Sequence, residues 1–221
     1  MKILTKLLFM LLTVLSPLIL LMSSVRVLMT PAFLDYEYNL PKFPADPYGF
    51  TLADRLKWGK ISMDYLTNNE SDGFLNTLKF ENGSPLYNER ETSHMLDVRR
   101  LVQAGLKVWY GLLVFTVVVL AIALITRNMR SFWKAVSNGG WWTMGLIVLI
   151  LAAVLINFDG LFTAFHALFF KGDSWLFFSD DTLIRLYPEK LWVDAFIYAG
   201  IFSLVAGAIC AFLGARFAHH E

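Results

Sequence analysis

Residues 107–126 read KVWYGLLVFTVVVLAIALIT, and apart from Lys107 at its start this run carries no charged side chain. An α-helix rises about 1.5 Å per residue, so about 20 such residues match the roughly 30 Å hydrocarbon core of a bilayer. Three further apolar runs of comparable length lie at 7–29, 141–158 and 192–215. Backbone polar groups in lipid must be satisfied within the segment itself, which makes each run a transmembrane helix. Composition agrees: 57% of residues are hydrophobic and 17% are charged, against roughly 25% charged in soluble domains. Mean hydropathy is +0.54.

Lysine and arginine near span ends tend to stay in the cytoplasm. Lys2 and Lys6 precede the first span, Arg127, Arg130 and Lys134 fill the connection between the second and third, and Arg216 follows the fourth. Both termini are therefore predicted to be cytoplasmic, with the two long connections, 30–106 and 159–191, on the extracytoplasmic side. No small-residue cleavage site follows the first apolar run, so it is expected to remain as an anchor. The expected organisation is a first helix over 1–29, a cap over 30–106, a second helix over 107–126, a cytoplasmic loop over 127–140, a third helix over 141–158, an interfacial loop over 159–191, and a fourth helix with its tail over 192–221. The fold class is an all-α integral membrane protein: four transmembrane helices with a small, mostly helical extracytoplasmic cap. In that cap Pro31, Pro41, Pro44 and Pro47 interleave with aromatic residues, which predicts irregular chain at the interface. Leu52, Leu56, Ile61 and Tyr65 then recur at helical spacing, and Asn82-Gly83 marks a turn that one hairpin would use.

A net charge of +1 offers none of the basic stripe that nucleic-acid binding requires. The lone Cys210 lies inside an apolar run and reads as packing, with no disulfide framework. No zinc-protease, nucleophile-elbow or phosphate-loop motif occurs in the chain. The spans also lack the buried carboxylate relays and matched helix breaks of ion-coupled transporters.

Chemistry therefore falls to the polar residues near the outer helix ends. His219 and His220 close the chain as a tail and carry no assignment. His94 precedes the second span, in a run where Met95, Val98, Leu101 and Val102 recur at helical spacing; Asp97 follows it by three residues and Arg100 follows Asp97 by three. His166 follows the third span as one polar residue among Phe162, Phe165, Phe169 and Phe170, with Trp175 close behind, an aromatic segment suited to headgroup depth. The topology brings both histidines to one side. Arg26, near the outer end of the first span, either snorkels to headgroups or binds a substrate phosphate or carbonyl.

The runs Phe165-His166-Ala167-Leu168-Phe169-Phe170, Gly172-Asp173-Ser174-Trp175-Leu176-Phe177 and Asp181-Thr182-Leu183-Ile184-Arg185-Leu186-Tyr187-Pro188, with Ser93-His94-Met95-Leu96-Asp97-Val98 upstream, resemble the lipoprotein intramolecular transacylase family, Lit. That resemblance implies a bacterial membrane enzyme that moves the sn-2 acyl chain of a diacylglyceryl lipoprotein onto the amine of its own N-terminal cysteine, leaving a lyso-form lipoprotein. It also implies two extracytoplasmic histidines in catalysis, which fall on His94 and His166. Histidine exchanges protons near neutrality, at an ordinary pKa of about 6.5. One imidazole would act as base toward the amine; the other, protonated, would stabilise the oxyanion or protonate the departing glycerol oxygen, a role Arg99, Arg100 or Arg185 can share. Asp97 is the first choice of orienting carboxylate, with Asp159 and Asp181 as rivals. Phe165, Phe169 and Trp175 are expected to line an acyl-chain groove. Because amine and ester belong to one molecule, no protein nucleophile, metal or cofactor is implied. The expected partners are the diacylglyceryl lipoprotein and membrane lipids, with no nucleic acid. The alternatives are a non-enzymatic lipoprotein- or lipid-binding accessory membrane protein and, more weakly, a metal-dependent hydrolase.

Overall fold

The structure, a computed structural model, describes residues 2–220, without the side chains of Lys2 and His220. Met1 and Glu221 lie outside what is described; at His219 and His220, where a tail was expected, the last helix continues. The helices are α1 (Lys2–Leu28), α2 (Pro31–Tyr38), α3 (Leu52–Thr67), α4 (Glu89–Ile125), α5 (Met129–Ile156), α6 (Phe158–Phe169), α7 (Thr182–Leu186) and α8 (Glu189–His220), with one 3₁₀ turn at Phe74–Thr77. Four of them, α1, α4, α5 and α8, are long and apolar enough to cross a membrane.

The chain divides into two compact units. The first comprises residues 1–28, 107–156 and 196–221. Phe9, Leu12 and Ile19 of α1 pack there with Val119, Ala123, Phe132 and Ala135. Small residues let the backbones approach, as helix packing in lipid favours. A Cβ at Gly139 would strike Ser16 of α1, and one at Gly140 would meet the Gly207 carbonyl of α8 and lie 2.5 Å from the Ala211 nitrogen. Hydroxyls are satisfied within the unit: Thr13 donates to the Ala135 carbonyl at 3.0 Å and Ser203 to Ser24 at 3.0 Å. The outer faces stay apolar. In α4 only 11% of the most apolar window is buried, a surface that lipid must cover.

The helices outrun their apolar windows. The loop expected over 127–140 shortens to a turn, because α5 already begins at Met129 and carries Arg130 and Lys134 on its first turns. Hydropathy marks the lipid-crossing portion of a helix, whereas polar residues continue the same helix into water.

The second unit comprises residues 29–106 and 157–195. Its core gathers Trp58, Tyr65, Leu75, Leu86, Tyr87, Met95, Leu183 and Leu186. Buried hydroxyls tie its pieces together: Tyr38 donates to the Leu186 carbonyl, Tyr187 to the Gly59 carbonyl at 2.6 Å and Thr182 to the Leu86 carbonyl at 2.7 Å. Glu91 is 2% exposed, and its carboxyl accepts from the Asn88 and Leu183 amides at 2.8 and 2.7 Å. Those bonds anchor the start of α4 to α7. α3 opens on a capping box, with Thr51 and Asp54 exchanging side-chain and backbone bonds.

Two local expectations change. Pro31 starts α2 instead of breaking it, since proline's missing N–H is unneeded in a first turn. At Asn82-Gly83 the chain does reverse, with Gly83 at φ 84°, but only one bridge forms, Lys79 with Pro85. Pro85 has no N–H to extend the ladder.

Candidate active site

The second unit sets two imidazoles face to face. His94 projects from the early turns of α4 and is 7% exposed; His166 projects from the last turn of α6. Their centroids are 6.1 Å apart with planes inclined by 22°. Aromatic rings enclose the pair. Phe170 and Phe177 present their edges to His94 at 4.9 and 5.3 Å, and Phe162 and Trp175 lie against His166 at 4.1 and 5.0 Å.

The local fold explains this placement. Asn157 caps α6 by accepting from the Gly160 amide at 2.9 Å, which turns the chain from α5 into a second helix where interfacial loop was expected. On α6, Phe162 stands four residues before His166, the spacing that stacks side chains on one helix face, and Phe170 is the residue that caps the helix end, its amide donating to the His166 carbonyl. The Nδ1 of His166 lies 2.8 Å from the Phe162 carbonyl oxygen. A carbonyl only accepts, so Nδ1 carries the proton and Nε2 keeps its lone pair.

Electrostatically, the pair is held neutral. Burial pushes His94 down to about 4, with the neighbouring His166 adding to the fall. Burial also lowers His166, partly opposed by its bond to Phe162. A protonated imidazole, expected from the sequence as one of two partners, is therefore disfavoured at neutral pH. Two buried polar atoms in the enclosure have no hydrogen-bond partner among the described residues: Nδ1 of His94 and Nε1 of Trp175.

The charged candidates from the sequence go elsewhere. Asp97 is exposed and pairs with Arg100 at 3.9 Å; Arg100 also reaches Asp72 at 3.6 Å. Arg99 donates to the Asn68 and Glu70 carbonyls at 3.1 and 2.6 Å and lies over the Tyr65 ring. Asp181 accepts from Asn88 at 2.8 Å, Arg90 at 2.6 Å and the Phe178 amide at 2.7 Å. Arg185 forks onto Asp46 at 2.9 and 3.1 Å and lies 3.6 Å over Phe50. Asp159 is exposed in the first turn of α6, and Arg26 lies in the last turn of α1. Phe165 and Phe169 pack on each other at 4.9 Å and stay exposed, 40% and 47%, beside His166. That flank of α6 is apolar and open. An open groove of about 580 Å³, lined by Phe80, Tyr87, Glu89, Asp180 and Arg185 among others, includes neither histidine. Among the described residues no three His, Cys, Asp or Glu side chains gather as metal ligands.

Four membrane helices, together with a compact unit that stacks two imidazoles among aromatic rings, define a multi-pass membrane protein. The chain belongs to the family of the lipoprotein intramolecular transacylase Lit, whose profile matches residues 9–192. An uncharacterized protein of Aquifex aeolicus is 28% identical over 211 residues, 95% of this chain and 94% of its own. The fold is that of the membrane-integral lipoprotein intramolecular transacylase Lit from Bacillus cereus: TM-score 0.78 at 21% identity, covering 98% of this chain and 95% of that one. A second structure of that protein, with a histidine replaced by arginine, gives TM-score 0.66 at 18% identity over 97% and 92% of the two chains.

Proposed function

We propose that this protein is a lipoprotein intramolecular transacylase that moves the sn-2 acyl chain of a diacylglyceryl lipoprotein to the amine of its N-terminal cysteine, with His94 and His166 exchanging the protons. The observation that carries this reading is the stacked histidine pair, His94 buried and His166 half-buried, among aromatic rings in a chain of the Lit family. The neutral N-terminal amine attacks the ester carbonyl carbon, a C–N bond forms and the C–O bond to the glycerol sn-2 oxygen breaks. One proton leaves the amine for Nε2 of His166, and one reaches the glycerol oxygen from the histidine pair, so the pair ends as it began. General acid–base assistance of this kind contributes roughly 10²–10⁴-fold. Effective molarity supplies the rest, since an enclosure that holds amine and ester together can give about 10⁵ M or more. The exposed Phe165 and Phe169 flank would take the migrating chain.

Sidedness rests on the distribution of Lys6, Arg127, Arg130, Lys134 and Arg216, which supports cytoplasmic termini and an extracytoplasmic site in the bacterial cell membrane. Single replacement of His94 or His166 by Ala, with lyso-form lipoprotein read by mass spectrometry in cells, is the test. Loss of the lyso-form with the protein still folded in the membrane supports catalysis. Unchanged lyso-form in both variants would leave a non-enzymatic lipid or lipoprotein binder as the better account.

A further inference from the structure

Acyl transfer through a tetrahedral centre places negative charge on the former carbonyl oxygen, and that charge needs a donor. The cations near the site already hold acceptors: Arg90 pairs with Asp181, Arg99 with the Asn68 and Glu70 carbonyls, and Arg185 with Asp46. Arg90 Nε and Arg99 Nη1 are also buried without a partner, but these guanidinium groups lie over Phe177 and Tyr65, not against an imidazole. Of the buried polar atoms lacking a partner, two belong to rings that lie against His166: Nδ1 of His94, which donates or accepts according to its tautomer, and Nε1 of Trp175, whose ring centroid is 5.0 Å from that of His166. Indole nitrogen only donates. A buried N–H left without an acceptor costs roughly 1–3 kcal/mol, a cost that an acceptor arriving with the substrate would remove. A phenylalanine would serve equally well for packing, as Phe162 and Phe170 do on the same ring.

Resting on the transacylase reading, we propose that Trp175 donates its Nε1 hydrogen to the sn-2 ester carbonyl oxygen and to the oxyanion that this oxygen becomes. The donor is neutral and untitratable, which suits an enclosure whose imidazoles are held uncharged. It also separates the duties: His166 handles the proton and Trp175 the charge.

The test uses the full-length protein in liposomes with a synthetic diacylglyceryl lipopeptide. Trp175→Phe removes the N–H, and benzothienylalanine at position 175 replaces it with sulfur at nearly unchanged ring size. Both are expected to lower kcat by about 10²-fold, with KM, melting temperature and the shape of the pH profile retained. Unchanged kcat in the benzothienylalanine protein, or a rise in KM alone, would overturn the donor role and leave packing. If the unmodified protein does not convert the lipopeptide, the transacylase reading itself fails and the donor role falls with it; an active unmodified protein beside an undiminished variant overturns the donor alone.

Discussion

His166 places its Nδ1 2.8 Å from the carbonyl oxygen of Phe162, one helical turn earlier on α6. That bond commits the ring to a single tautomer and directs Nε2, the basic nitrogen, away from its own helix. Only Nε2 is then available to take a proton from an amine.

The first prediction concerns charge. With His94 brought down to about 4 and His166 also lowered, the folded state favours neutral rings. A histidine depressed in this way contributes stability that is present above its ordinary value of 6.5 and is lost as pH falls toward 4. Thermal unfolding in detergent should show falling stability through that window, and His94→Gln should flatten it. NMR of ring-labelled histidine should find His94 still neutral at a pH of about 5.5, where an ordinary histidine is mostly charged.

A second titrating group works in the opposite sense. Glu37 on α2 is completely buried, and burial pushes its carboxyl up to about 8, with the neighbouring Asp194 adding to the rise and Lys190 opposing it. Lys190 itself holds Asp194 at 2.5 Å. The folded state therefore prefers Glu37 protonated: its contribution is full below the ordinary 4.5 and is lost as pH rises toward 8. Glu37→Gln, which keeps the shape without the proton, should remove that loss, measured as melting temperature against pH.

The buried pair of Asp46 with Arg185 is expected to govern folding. Burial alone would raise Asp46, but the Arg185 guanidinium and the Phe50 amide hold its carboxyl below the ordinary range. The two side chains are 0% and 14% exposed. Removing one partner of such a pair costs about 3–5 kcal/mol, so Asp46→Asn should lower the melting temperature sharply. Turnover per folded molecule should be unchanged, because neither group touches the imidazoles.

Within the lipid-facing unit, Gly140 is the position least able to carry a side chain, since a Cβ there lies 2.5 Å from the Ala211 nitrogen and also meets the Gly207 carbonyl. Both obstacles are backbone of α8. Gly140→Val should therefore separate α5 from α8, read as loss of the monodisperse detergent-solubilised protein. Gly145→Val, where nothing lies within 4 Å, should be tolerated.

How much of this was legible in the sequence differs by residue. Four apolar windows are unambiguous at their length, and the order of charged connections already puts His94 and His166 on one side. Their stacking was not readable, because it depends on α6, whose apolar residues run almost without polar interruption and look like interfacial loop. Asn157, three residues before Gly160, was the overlooked capping signal. Asp97 looked like an orienting carboxylate because i and i+3 share a helix face, yet Arg100 and Asp72 occupy that face. Asp46 meets Arg185 across 139 residues, a separation no local pattern encodes. Nothing around Glu37 in Leu34-Asp35-Tyr36-Glu37-Tyr38 distinguishes a buried acid from a solvated one.

The central claim is tested most directly by incubating purified protein in liposomes with a synthetic diacylglyceryl lipopeptide and locating the acyl chains by tandem mass spectrometry. The account predicts a product of unchanged mass with one chain on the cysteine nitrogen and a free sn-2 hydroxyl, formed by the native protein and reduced by about 10²-fold or more in His166→Ala. Equal conversion by His166→Ala, or acyl chains left on both glycerol oxygens by the native protein, would contradict it.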